Sequence, residues 1–208
     1  MEIPKDILYI IERINQSEDK WKALYMGTWG CSYQIKNKFE NTPNWDKEVQ
    51  FGLPAFKNKS HVYTPHQLHS ILTSRDGEFT MGHLQTLFSL FEDLLNEASK
   101  IICSLELDTS KWPNMKKFFE ADDTKDILNG AQIKELKLAK ETRNCYIHNG
   151  NKIDQKWLDS YIDAKGSPIA SIGDDLTKGF PNFFHQIEEW HILVVNTTNK
   201  IKNKLEDK

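Results

Sequence analysis

The chain has 208 residues, 38% of them hydrophobic and 27% charged, with a formal net charge of −3. That is enough chain for one domain with an extension or for two small ones, in an ordinary soluble composition. No apolar run approaches the roughly 20 residues of a membrane span. A pI near 6.2 is not that of a strongly basic nucleic-acid-binding domain.

The opening stretch, MEIPKDILYIIERI, is acidic and amphipathic, so no signal peptide is expected. Cys31, Cys103 and Cys145 are sparse and far apart. They predict no disulfide framework and a reducing, cytoplasmic setting. Neither a CxxC pair nor a Cys–His cluster suggests structural zinc.

In chain order, Pro4 opens a predicted helix over about 4–16, with Ile7, Ile10, Ile11 and Ile14 on one face. A second helix is expected over about 18–39, weakened by Gly27 and Gly30. Residues 41–63, with Pro43, Gly52 and Pro54, read as an irregular connector. Thr64-Pro65-His66-Gln67 reads as a capping box opening a short helix to about Thr73, and Asp76-Gly77 marks a turn.

From Thr80 the periodicity strengthens. Leu84, Leu87, Phe88, Phe91, Leu94, Leu95, Ala98, Ile101 and Ile102 make a wide apolar stripe on a long helix. A helix at about 111–121 buries Trp112, Met115, Phe118 and Phe119. The next, from about Ala131 to His148, carries Ile133, Leu136, Ala139 and Tyr146 and stops at Asn149-Gly150. A short helix near 154–161 follows, then a loop or small hairpin at 164–178. Pro181 opens a last long helix with Phe184, Ile187, Trp190, Leu193 and Val194 inward. The class is therefore all-α: a bundle of four to five helices over 79–208, carrying an N-terminal helical extension at 1–78. No parallel-sheet pattern or Gly-rich phosphate loop is present.

Arg13, Arg75 and Arg143 are the only arginines in a lysine-rich chain. Arg143 precedes His148 by five residues at the end of a predicted helix. Five residues turn a helix through about 500°, leaving the two side chains roughly 140° apart. The long arginine side chain and the helix end at Asn149-Gly150 are the two features that would bring them together. Asn144 and His148, four apart, share a face. Lys134, Lys137, Lys140, Lys152 and Lys156 add a modest basic patch, which a solvated helix face explains equally well. The spacing alone also fits an Arg–Glu surface pair beside a histidine that satisfies the last carbonyls.

The string from Glu135 to Asp154, ELKLAKETRNCYIHNGNKID, resembles the signature of the HEPN superfamily. That signature is an Arg-x4-6-His motif with a polar residue after the arginine, followed by an Asn-Gly-type turn, an aliphatic–acidic pair and a short helix. Leu87-Phe88-Ser89-Leu90-Phe91-Glu92 is similar to an earlier bundle helix of the same family. The resemblance covers about 79–206 and leaves 1–78 unmatched. It implies a helical bundle, usually a homodimer, whose two motifs face each other across the two-fold axis. Active members are metal-independent endoribonucleases found among toxins, CRISPR effectors and abortive-infection proteins.

Carried over residue by residue, Arg143 and His148 match the catalytic pair and Asn144 the accompanying polar position. Glu92 matches an acidic residue that supports the site in some members. No metal or cofactor is implied. RNA and a second copy of the chain are the expected partners, with an antitoxin or regulatory protein as a further one and no membrane. The family's nucleotidylated tyrosine would fall at Gly150, which places that control in doubt. The chemistry expected of an imidazole titrating at about 6.5 is proton transfer at a ribose 2′-OH or a leaving 5′-oxygen. An arginine fork would neutralise the phosphorane oxygens.

A non-catalytic helical dimer binding RNA, a nucleotide or a protein is the alternative. His61, His66 and His69 form a weaker candidate metal cluster. Trp21, Trp29 and Trp45 read as packing residues, and Asp122-Asp123 and Asp174-Asp175 as turn or cap residues.

Overall fold

The computed structural model describes residues 2–51, 61–74, 76–180 and 182–208. Gly52, Pro54, Arg75 and Pro181, singled out in the sequence, lie outside the described residues, as does the side chain of His61. The described residues form seven α-helices and one two-stranded antiparallel sheet, so the class is all-α. In order these are α1 (Lys5–Phe39), β1 (Val49–Phe51), β2 (His61–Tyr63), α2 (Pro65–Ser74), α3 (Asp76–Ile102), α4 (Trp112–Glu120), α5 (Gly130–His148), α6 (Gln155–Lys165) and α7 (Phe183–Glu206). A short 3₁₀ turn, Leu176–Gly179, precedes α7. No helix among the described residues is long and apolar enough to cross a membrane.

The backbone divides into two compact units, Met1–Glu18 with Met81–Lys208, and Asp19–Thr80. The sequence reading set its boundary at 78 and assigned all of 1–78 to an extension. In the structure residues 1–18 instead belong with the bundle, because Ile7, Ile11 and Ile14 are buried. The two helices expected at 4–16 and 18–39 are one, α1. Ser17, at the expected break, bonds its hydroxyl back to the Ile14 carbonyl at 2.7 Å and leaves the helix intact.

In the smaller unit, β1 and β2 pair with Val49 opposite Tyr63 and Phe51 opposite His61. The sequence reading had this segment as irregular throughout; three-residue strands are too short to show an alternating pattern. The Thr64/Gln67 capping box is present, with Gln67 N donating to Thr64 Oγ1 at 3.0 Å and Thr64 N to Gln67 Oε1 at 2.9 Å.

The larger unit is built around α5, which packs against α4, α6 and α7. Asn129 and Gln132 form a capping box at its start. α3 turns Leu84, Leu87, Phe88, Phe91, Leu94, Leu95 and Ala98 inward, all fully buried. Met115, Phe118 and Phe119 from α4 and Ile187, Trp190 and Val194 from α7 complete the core. Phe180 lies between Trp157 and Trp190, with ring centroids 5.7 and 5.3 Å away. Indole N–H groups tie the helices together: Trp157 Nε1 donates to Thr142 Oγ1 at 2.9 Å and Trp190 Nε1 to Glu135 Oε2 at 3.1 Å. Each satisfies a donor whose burial without an acceptor would be costly.

Candidate functional site

α5 is buried on more of its circumference than its apolar stripe accounts for. Lys140, Glu141 and Thr142 are buried beside Leu138, Ala139 and Cys145. Thr142 is satisfied by Trp157 and by the Leu138 carbonyl, to which it donates at 2.8 Å. Lys140, 2% exposed, donates its ammonium to the carboxylate of Glu92 on α3, itself 7% exposed. A buried charge needs such a partner, because desolvation without one costs several kcal/mol (about 3–5 when a pair is broken).

Arg143 joins this pair. Its Nη1 lies 3.7 Å from Glu92 Oε1 and donates to Asn144 Oδ1 at 3.3 Å. Asn144 Nδ2 in turn donates to Glu141 Oε2 at 3.3 Å. Arg143 Nε is buried with no hydrogen-bond partner. The result is a chain of polar groups, Lys140–Glu92–Arg143–Asn144–Glu141, linking α3 to α5 and reaching the surface at Asn144.

His148 stands apart from it. It occupies the last turn of α5 and is exposed. No hydrogen bond or ion pair joins it to Arg143 among the described residues. The sequence reading expected the arginine to swing round to the histidine. In the structure Arg143 turns toward Glu92, whose carboxylate lies 3.7 Å from its Nη1, and the positions of Arg143 and His148 diverge round the helix.

The backbone after His148 is firmly set. Gly150 and Asn151 take the left-handed conformation, at φ +58° and +66°. Asp154 accepts from Asn149 Nδ2 at 2.7 Å through one oxygen, and through the other from Trp157 N at 2.8 Å, capping α6. Lys152 and Asp175 form an isolated bridge and an ion pair at 2.8 Å. The Asn-Gly turn and the Ile153-Asp154 pair therefore fix where His148 is presented.

Cys145 packs with its thiol pushed up to about 11 by burial, so it is a poor nucleophile at neutral pH. The acidic pairs behave as turn residues: Asp174 accepts from Ser171 N at 3.1 Å and pairs with Lys178 at 2.9 Å, and its carboxyl lies below the usual range on that lysine's account. His66 pairs with Asp46 at 3.1 Å and stacks on Trp45, and His69 Nδ1 lies 2.7 Å from Ser32 Oγ. Among the described residues no group of three metal-ligating side chains converges.

Two features were missed by sequence reasoning. One is the burial of Lys140, which looked like part of a solvated patch. Its signal was Glu92: four residues after Phe88 and three before Leu95, it sits on the apolar stripe and calls for a buried cation. The other is a cleft of about 430 Å³ between α4, α5 and α6 whose lining includes Trp112, Lys137, Asn144, Lys156 and Asp159.

No protein-family model, curated protein or solved structure matches the chain.

Proposed function

We propose that this chain is a HEPN-like, metal-independent endoribonuclease. Its bundle of helices would act as a cytoplasmic homodimer in bacterial defence or growth arrest, with an antitoxin or regulatory protein holding it in check. The observation that carries the reading is the end of α5. An arginine anchored by a buried carboxylate, Arg143 on Glu92, lies about 1.4 turns before an exposed histidine that ends α5 just ahead of the left-handed Gly150.

In this reading His148 removes the proton of a ribose 2′-OH. The 2′-oxygen attacks the adjacent phosphorus, and the 5′-oxygen leaves with a proton from the second copy's imidazole. The products are a 2′,3′-cyclic phosphate and a 5′-hydroxyl. Arg143 neutralises the phosphorane through Nη2, which has no hydrogen-bond partner among the described residues. Asn144 orients the arginine, and Glu92 fixes the guanidinium plane.

A second reading, a non-catalytic module that binds RNA or a protein, is favoured by the lack of a hydrogen bond between Arg143 and His148 among the described residues. RNA incubated in excess chelator separates the two. Wild type is expected to yield cyclic phosphate ends, and His148→Ala or Arg143→Ala to lower the rate by about 10²-fold or more, as for loss of a general acid–base group. Cleavage that survives both substitutions, or that requires a divalent ion, refutes the mechanism. Light scattering that finds a monomer at micromolar concentration removes the two-imidazole arrangement.

A further inference from the structure

We infer that the face formed by α4, α5 and α6 is a track for single-stranded RNA, seating two consecutive nucleotides on either side of Trp112. The inference rests on the ribonuclease reading for its choice of polymer, but the binding surface is a separate observation. The cleft of about 430 Å³ lined in part by Asn144 adjoins a second of about 280 Å³ lined by Lys116, Ile133 and Lys134. Both include Trp112 and Lys137 in their walls, so the two are neighbours that share the indole. Two linked clefts suit a chain of nucleotides better than one free mononucleotide.

The charges differ in how far they are already used. Lys111 pairs with Asp108 at 3.1 Å, Lys116 with Glu120 at 3.3 Å, Lys134 with Asp163 at 2.9 Å, and Lys140 with buried Glu92. Lys137 and Lys156 face the larger cleft with no ion pair among the described residues. They are the two cations free to take phosphate. Trp112, half-buried and lining both clefts, is the aromatic ring there on which a base would stack.

Two carboxylates, Glu141 and Asp159, share the larger cleft, which argues against a site for a bare anion. Each already accepts from a neutral amide, Asn144 at 3.3 Å and Gln155 at 2.7 Å. Their remaining lone pairs suit ribose hydroxyls, which RNA has and DNA lacks at the 2′ position. Asn144 lines the larger cleft and is the neighbour of Arg143, so a strand lying here adjoins the motif.

The test is fluorescence anisotropy with a labelled RNA of about ten nucleotides, the length of a single-strand footprint, on full-length His148→Ala protein, which holds RNA without turnover. Added Trp112→Ala is expected to weaken binding about tenfold or more, from the loss of stacking worth ~1–3 kcal/mol per base. Added Lys137→Glu with Lys156→Glu should weaken it further and reduce the salt dependence by about 1.4 in log–log slope, 0.7 for each lost phosphate contact. DNA of the same sequence and a free ribonucleoside monophosphate should each bind more weakly than the RNA.

Trp112→Phe, which keeps a stacking ring and the packing, should retain most of the affinity, and unchanged melting of the lysine variant shows that its loss is not unfolding. RNA bound equally by all variants, or no RNA bound by His148→Ala protein, overturns the inference. Wild-type cleavage untouched by the Trp112 and lysine changes removes the track and leaves the ribonuclease. Binding that depends on these residues in a protein that never cleaves removes the ribonuclease and leaves the track.

Discussion

Replacing Glu92 by glutamine keeps the side-chain volume and removes one negative charge from the centre of the bundle. Lys140, 2% exposed, would then face a neutral amide, and Arg143 would lose the carboxylate 3.7 Å from its Nη1. Breaking a buried pair from one side costs about 3–5 kcal/mol, because the remaining charge stays desolvated. The hydrogen bond from Thr109 Oγ1 to the Glu92 carbonyl, 2.9 Å, involves only the backbone and survives. The expected loss is therefore about 4 kcal/mol, a large part of the ~5–15 kcal/mol that holds a domain folded. With a urea m-value of about 2 kcal/mol/M, the midpoint should fall by roughly 2 M. Glu92→Gln combined with Lys140→Met removes both charges and should recover much of that loss. The double-mutant cycle, read by far-UV circular dichroism in urea, should give a coupling of about 2 kcal/mol or more between the two sites. A loss below ~1 kcal/mol for Glu92→Gln, or a coupling near zero, refutes the claim that the pair is buried and that Glu92 anchors Arg143.

Two further outcomes test the packing of the larger unit. His83 Nε2 lies 3.0 Å from His191 Nδ1, and burial, followed by that neighbour, lowers the His83 pKa from 6.5 to about 3. Between those values the unfolded chain takes up a proton that the folded protein refuses, so His83 contributes its full stability above 6.5 and loses it as pH falls toward 3. Urea titrations should show about 3 kcal/mol lost between pH 7 and pH 4 from this group, with a flatter profile for His83→Asn; identical profiles would show that His83 does not control it. At Gly179 an added methyl would sit 2.4 Å from Cη2 and 2.7 Å from Cζ2 of Trp157, a ring that is fully buried and held by Thr142. Gly179→Ala should cost about 1–3 kcal/mol by overpacking and lower Tm by ~2–4 °C per kcal/mol; a Tm within about 1 °C of wild type would mean that the indole gives way.

How much of this was legible in the sequence differs from element to element. The α3 and α7 stripes, the Thr64 capping box and the Asn149-Gly150 stop were readable, because each is a local pattern of apolar spacing or backbone chemistry. The paired strands were not, since three residues carry too little pattern. The continuity of α1 was not, since nothing local distinguishes a helix interrupted near Ser17 from one that absorbs its hydroxyl. The circumference of α5 was not, because Lys140 and Glu141 read as solvent-facing until a partner helix covers them.

By itself the sequence determined an all-helical chain and a helix that ends at a glycine turn just beyond Arg143, Asn144 and His148. Those properties follow from interactions within a few residues, and the order of residues encodes them directly. Only the tertiary structure decided what the three side chains do. Arg143 is drawn inward because Glu92, 51 positions earlier in the chain, is buried beside it. Asn144 lines a cleft whose other walls come from α4 and α6, and His148 is left in solvent at the helix end. Coulomb attraction and desolvation act between side chains that are distant in sequence and close in space, so no reading of local pattern could assign them.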